Sequence, residues 1–355
     1  MMIRLSFKTL SLGLAALACL VAAPAGADQI TYGMVTVGNP GNANDTGGTN
    51  NGAVAYSYQI GKYDVTIGQY AAFLNAADPS GTNPNGIYKT QMQSDLNVAG
   101  ISYTSGATAG SKYSVMNNGG DSANRPITYV SWFDAARYAN WMTNGQGSGS
   151  TETGAYTLNG ATSGNAVAAN PGAAFRLPTE NEWYKAAYYS PTLNSGAGGY
   201  YAYATQSDTA PGNIIGGTAN QANYAPGGVW SVTQSGYDSS QNYLTDVGAF
   251  SGSGSFYGTF DQSGSVFQWN DLDGTDASSR GLRGGDWYEG YPLYISSSYS
   301  GFSMAPSFNF SKAGFRLAGT GASAVPEIDP NSIGSVLALV LGSLGLLERR
   351  RLKAT

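Results

Sequence analysis

The chain has 355 residues and a formal net charge of -5, and only 11% of its residues are charged, against about 25% in an ordinary soluble protein. An acidic, charge-poor chain with no internal Lys/Arg cluster excludes a nucleic-acid binder, because a phosphate backbone is repelled overall. Its 50 glycines imply many turns and loops, while 25 tyrosines and 6 tryptophans supply the apolar area for a sizeable core.

Arg4 and Lys8 precede an apolar run from Leu10 to Ala23, and "AGA" at Ala25 to Ala27 is a small-residue cleavage site. This pattern predicts a signal peptide over residues 1–27 and a mature start at Asp28. The single cysteine, Cys19, lies inside that leader, and Ala16 stands where a lipoprotein signal wants a branched apolar residue. The exported product then has no cysteine, and the chain has no histidine. It therefore lacks thiolate nucleophiles, thiolate metal ligands, and both the commonest general base and the commonest transition-metal ligand.

Residues 28–324 read as one domain, since no linker is long or charged enough to force a second. Three helices open with capping boxes: Thr66 with Gln69, Ser131 with Asp134, and Thr179 with Glu182. Their apolar stripes are Ile67, Tyr70, Ala71 and Leu74, then Trp132, Ala135, Ala136 and Ala139, then Trp183, Ala186 and Ala187. Short strands are expected at "AYSYQI", "GLRGGDW" and "AGFRLA". Gly38–Gly52, Thr143–Gly154 and Asn194–Gly199 read as surface loops. The class is α+β with much irregular chain. Trp132, Trp183, Trp269 and Trp287 are expected in the core. Arg176, Arg283 and Arg316 are expected to pair with carboxylates such as Asp134 and Glu182.

"YDVTIGQYAAFLNA", "RPITYVSWFDAARYANWM", "FRLPTENEWYKAA", "GSVFQW", "RGLRGGDW" and "GFRLA" occur in the order and approximate spacing of the formylglycine-generating enzyme, or sulfatase-modifying factor, family. The resemblance runs from about Tyr56 to Ala318 and implies that family's variant of the C-type lectin fold. In the family a serine follows the two glycines of "RGG", and a copper-binding cysteine pair lies three and eight residues beyond it. Asp286, Glu289 and Tyr294 occupy those positions here. None is a soft ligand for Cu(I), and the iron-binding histidines of the ergothioneine-synthesis relatives are absent, so neither copper nor iron is expected. Two carboxylates in one loop remain an alternative acid and base pair.

The resemblance also implies Ca²⁺ at "DQSGSVFQ", through Asp261, Gly264, Val266 and Gln268, where Gln268 replaces a bidentate glutamate; a second family site maps onto Asn223, the Tyr224 carbonyl and Asp238. The stretch Asp286–Phe310 is rich in Tyr, Ser, Gly and Phe, and Tyr288, Tyr291, Tyr294 and Tyr299 mark it as a contact surface, with at least two of the four expected to be exposed.

At the C-terminus, "VPEIDP", an apolar run from Ile333 to Leu347, Glu348 and the basic Arg349–Arg351 resemble a PEP-CTERM sorting signal over residues 325–355. The run is shorter than the roughly 17–25 residues that span a bilayer comfortably. The resemblance implies a transient membrane helix, an exosortase-type processing partner and delivery to the cell envelope or extracellular matrix, although "PEI" stands where the signal usually has Pro-Glu-Pro. The functional expectation is a non-catalytic, exported domain that binds a glycan or protein ligand. The alternative is a diverged metal-dependent oxidoreductase of the same family.

Overall fold

Three helix starts are closed by reciprocal side-chain hydrogen bonds in the computed structural model, which describes residues 29–319. Thr66 caps α1 (Ile67–Ala77), and after the single turn α2 (Gln91–Ser94), Ser131 and Thr179 cap α3 (Trp132–Thr143) and α4 (Glu180–Tyr188). In each, the cap hydroxyl accepts from the N3 backbone N–H and the N3 side chain accepts from the cap N–H, as the spacing predicts. A last short turn, α5, spans Leu193–Gly196. The readings of residues 1–27 and 325–355, including the apolar run Ile333–Leu347, lie outside the described residues. Among the described residues no helix is long and apolar enough to cross a membrane.

The strands are short and fall into four small sheets. β1 (Met34–Val37) and β2 (Tyr58–Gly61) pair antiparallel, while β3 (Ile101–Tyr103) with β4 (Tyr113–Val115), and β5 (Tyr189–Ser190) with β6 (Gly199–Tyr200), form two-stranded ribbons. β7 (Phe267–Asn270) and β8 (Arg280–Arg283) are antiparallel with Trp269 opposite Leu282, and β9 (Phe302–Met304) extends that sheet from β8. With five helices among the described residues and long irregular connections, the class is α+β.

"AGFRLA" is not one strand. Its first residues form β10 (Ala313–Gly314), parallel to β7, and the chain then crosses to form β11 (Ala318–Gly319) against β2 in a different sheet. Arg316, fully buried at the crossing, pins the two sheets together. Its Nε donates to the Gln268 side-chain oxygen on β7 at 2.6 Å and its Nη1 to the Gly61 carbonyl on β2 at 2.9 Å, with Asp64 Oδ1 at 3.3 Å from Nη2. A guanidinium spreads donors in a fixed fork, so one side chain can satisfy acceptors from several directions.

The tryptophans expected in the core are there, and three of them have found hydrogen-bond acceptors: Trp132 with Asp271 at 2.7 Å, Trp183 with Gln268 at 2.6 Å, and Trp269 with the Val130 carbonyl at 2.9 Å. α3 departs from an amphipathic reading because every residue from Trp132 to Met142 is buried. The segment Thr143–Gly154 lies at the surface as expected, with no residue buried, and folds back over the polar side of α3. There Arg137 pairs with Glu152 at 2.8 Å and Asn140 donates to the Thr151 carbonyl at 2.7 Å. Arg176 pairs with Glu182 at 2.5 Å as expected, but Arg283 pairs with Glu180 and Arg316 with Asp64, while Asp134 takes Lys89 at 3.1 Å rather than an arginine.

Candidate functional site

The double glycine after β8 sets the site. Gly284 and Gly285 both have positive φ, at 100° and 73°, and a Cβ on Gly285 would lie 2.5 Å from Ile295 Cγ2 and 2.8 Å from the Tyr294 carbonyl. Only glycine lets the chain turn here with the following loop packed against it. The turn drives Asp286 inward until it is fully buried, with Oδ1 accepting from the Tyr288 N–H at 2.7 Å and standing 3.6 Å from Lys312 Nζ. Asp286 Oδ2 has no hydrogen-bond partner among the described residues. Burial pushes the carboxyl up to about 7; the neighbouring Glu289 adds to the rise and Lys312 opposes it. Glu289 is half-buried, and burial raises its carboxyl too, again against Lys312.

Aromatic side chains surround this charged cluster. On one side Tyr288 packs against Trp230 and Tyr237, at ring-centre separations of 5.7 and 5.9 Å, and Tyr243 stacks on Trp287 at 5.2 Å. Lys312 Nζ sits 4.2 Å above the Tyr288 ring. On the other side a file of rings runs from Tyr291 through Tyr294 and Tyr299 to Phe302, with steps of 6.2, 5.0 and 5.8 Å. Of the four tyrosines singled out by sequence, Tyr288 and Tyr291 are exposed, at 45% and 71%, while Tyr294 and Tyr299 are half-buried. Tyr237 at 48% and Leu293 at 55% enlarge the exposed face. Lys312, Trp230, Tyr237 and Tyr243 are the residues that sequence reasoning missed. They arrive from distant segments without a period that would announce them.

The positions implied for Ca²⁺ are occupied by internal hydrogen bonds. Asp261 is half-buried, its Oδ2 accepts from the Gly248 N–H at 2.7 Å, and desolvation pushes it up to about 6. The Gln268 side-chain oxygen is taken by both Trp183 Nε1 and Arg316 Nε at 2.6 Å, and its amide nitrogen donates to the Asp261 carbonyl at 3.1 Å. Val266 is a core side chain, and Gly264 turns at φ 82° to bridge Asn223. Asn223 and Asp238 are held at opposite ends of Tyr243: Asn223 Nδ2 donates to its carbonyl at 3.0 Å, and the Asp238 N–H donates to its hydroxyl at 2.6 Å. The Tyr224 carbonyl accepts from Ser231 Oγ at 3.2 Å. With a guanidinium and an indole N–H both fixed on it, the Gln268 side-chain oxygen does not fit the role of a cation ligand.

Residues 24–320 match the family model of the sulfatase-modifying factor enzyme 1-like domain. The chain belongs to this family. Among solved structures, this sulfatase-modifying-factor domain is similar to Treponema denticola variable protein 1, with 18% identity over 82% of this chain and 96% of the other and a TM-score of 0.44. It is also similar to CarF, with 20% identity over 82% and 98% and a TM-score of 0.45, and to PvdO from Pseudomonas aeruginosa, with 19% identity over 81% and 92% and a TM-score of 0.40. No curated protein matches it in sequence.

Where the family resemblance puts the copper-binding pair, this domain offers the Glu289 carboxylate and the Tyr294 phenol, both hard oxygens, with Asp286 at the serine position and Lys312 3.6 Å from it. Such a set does not fit Cu(I). Among the described residues, no three His, Cys, Asp or Glu side chains converge as a metal site. Asp286 has no exposure to solvent, and Lys312 Nζ is the charged group that stands by it, 3.6 Å from Oδ1. The exposed part of this arrangement is aromatic, with the half-buried Glu289 carboxylate near the rings.

Proposed function

We propose that this domain is a ligand-binding rather than a catalytic member of its family, and that its contact surface is the aromatic face around Glu289. The observation that carries the reading is the exposure of Tyr237, Tyr288, Tyr291 and Leu293 beside a fully buried Asp286. Exposed tyrosines on a framework of packed rings give contact area at low entropic cost. The Glu289 carboxylate makes no hydrogen bond among the described residues and lies in an aromatic surround, which suits an arginine or lysine of the partner. The ligand we favour is therefore a protein segment that sets a basic side chain among apolar ones. The leader pattern of residues 1–27 and the sorting pattern of residues 325–355 support export to the cell surface or extracellular matrix, with an exosortase-type enzyme acting on the C-terminal segment.

The test is selection of peptides from a random library on the purified exported chain, followed by titration of one selected peptide. Selected peptides are expected to pair Arg or Lys with aromatic or aliphatic residues. Tyr291→Ala and Glu289→Gln are each expected to weaken binding by about tenfold or more. Peptides that bind equally well to both variants would overturn the assignment of this face.

A further inference from the structure

We propose that a second groove, between residues 39–46 and the β5–β6 hairpin, binds a neutral oligosaccharide, independently of the aromatic face. Its volume is about 680 Å³, within the roughly 300–1,000 Å³ typical of small-molecule sites. No lysine or arginine lines it, which leaves an anionic ligand without a counter-charge. Its single carboxylate, Asp45, is already committed: Oδ1 accepts from the Gly47 and Gly48 N–H groups at 3.1 Å each, and Oδ2 from the Tyr184 hydroxyl at 2.8 Å. The lining has no large aliphatic side chain, so a lipid tail or an apolar peptide anchor finds nothing to pack on.

What remains is the chemistry that matches sugar hydroxyls and ring C–H faces: amides and tyrosine rings. Asn44 Oδ1 accepts from the Ala53 N–H at 2.8 Å, which leaves its two amide hydrogens without a partner among the described residues. Exposed Asn39 and Asn194 stand on the two walls. Tyr189 and Tyr200 are directly opposite in the β5–β6 pair and meet edge to face at 5.2 Å, giving the groove an aromatic side. The walls are fixed before any ligand arrives. The Tyr200 hydroxyl donates to the Ala43 carbonyl at 2.7 Å and accepts from Asn42 Nδ2 at 2.6 Å, so the hairpin and the loop are clamped together. A preformed groove avoids the ordering cost that weakens binding by mobile loops.

The purified exported chain would be titrated calorimetrically with short neutral glucans, mannans and N-acetylated chito-oligosaccharides, alongside uronate oligomers. Binding of at least one neutral probe is expected. Ala197→Trp, which fills the groove at an exposed position with ordinary φ of -76°, should weaken it about tenfold or more. Asn44→Asp keeps the acceptor for Ala53 but removes both amide donors, and should weaken it at least severalfold. Tyr291→Ala should leave it unchanged, and unfolding temperatures near wild type establish that the variants fold. The inference is overturned if only uronates or peptides bind, if no neutral probe binds, or if sugar binding survives Ala197→Trp and disappears with Tyr291→Ala. The last result would place the sugar on the aromatic face and leave that face's binding role standing.

Discussion

Lys312 Nζ lies 3.6 Å from Asp286 Oδ1, the residue that follows the family's double glycine, and 4.2 Å from the centre of the Tyr288 ring. One ammonium thus partly compensates a buried carboxylate and props an exposed aromatic. The position that the family resemblance assigns to chemistry thus lies directly beneath the proposed contact surface.

That support has a pH signature. Burial holds Asp286 up at about 7, above the ordinary 3.8, so between these values the folded protein keeps a proton that the unfolded chain has lost. Stability contributed by this group therefore falls as pH rises through that window. Asp286→Asn removes the dependence. Relative to wild type it is expected to gain on the order of 2 kcal/mol near pH 8, and to show no such gain below about pH 4, in urea titrations at both pH values.

Arg316 and Asp64 form a pair with no exposure to solvent. Burial outweighs the guanidinium and pushes Asp64 up to about 8, and its second oxygen has no partner among the described residues. Arg316→Met is expected to cost about 3–5 kcal/mol, because it strands that acid and removes the pin between two sheets. Adding Asp64→Asn should recover part of the loss in the same denaturation assay, as a double-mutant cycle would report.

The cap of α4 separates a local effect from a buried network. Thr179→Ala removes one capping acceptor and is expected to cost about 1 kcal/mol. Glu182→Ala breaks the same box, the 2.5 Å pair with Arg176 and the 3.0 Å bond from Tyr56. Its expected cost is about 3–5 kcal/mol, and thermal unfolding should rank the two variants clearly.

Gly285→Ala probes the turn itself. A methyl group there meets the Tyr294 carbonyl and Ile295 in a left-handed backbone, so a loss of more than about 2 kcal/mol is expected, together with weaker peptide binding, by denaturation and titration.

What the sequence made legible was mostly local. A capping box needs residues three apart, so Thr66, Ser131 and Thr179 announced their helices, and Arg176 found Glu182 within the same short stretch. The tryptophans were legible as core because their area has few other uses. Pairings across long stretches of chain were not: Arg316 with Asp64, Arg283 with Glu180, and Lys312 with Asp286 depend on tertiary approach alone. "AGFRLA" carries one apolar pattern yet serves two sheets, a division set by which edges are free. The glycine-rich segment after α3 read as surface because it lacks large apolar side chains, and it is there; not legible was that Glu152 and its carbonyls are the partners that the buried polar side of α3 requires. At the candidate site, the composition of Asp286–Phe310 was visible in sequence, whereas Tyr237, Trp230 and Lys312 were not.

The central claim is that this domain binds a ligand where its family resemblance places oxidative chemistry. The most direct measurement is oxygen uptake by the purified exported chain, supplied with Cu(I) and cysteine-containing peptides. The expected result is no uptake above a protein-free blank, with aromatic-basic peptides still bound in parallel titrations. Steady, protein-dependent uptake that is lost in Asp286→Asn or Glu289→Gln, while the fold is retained, would contradict the account and place a catalytic centre on this face.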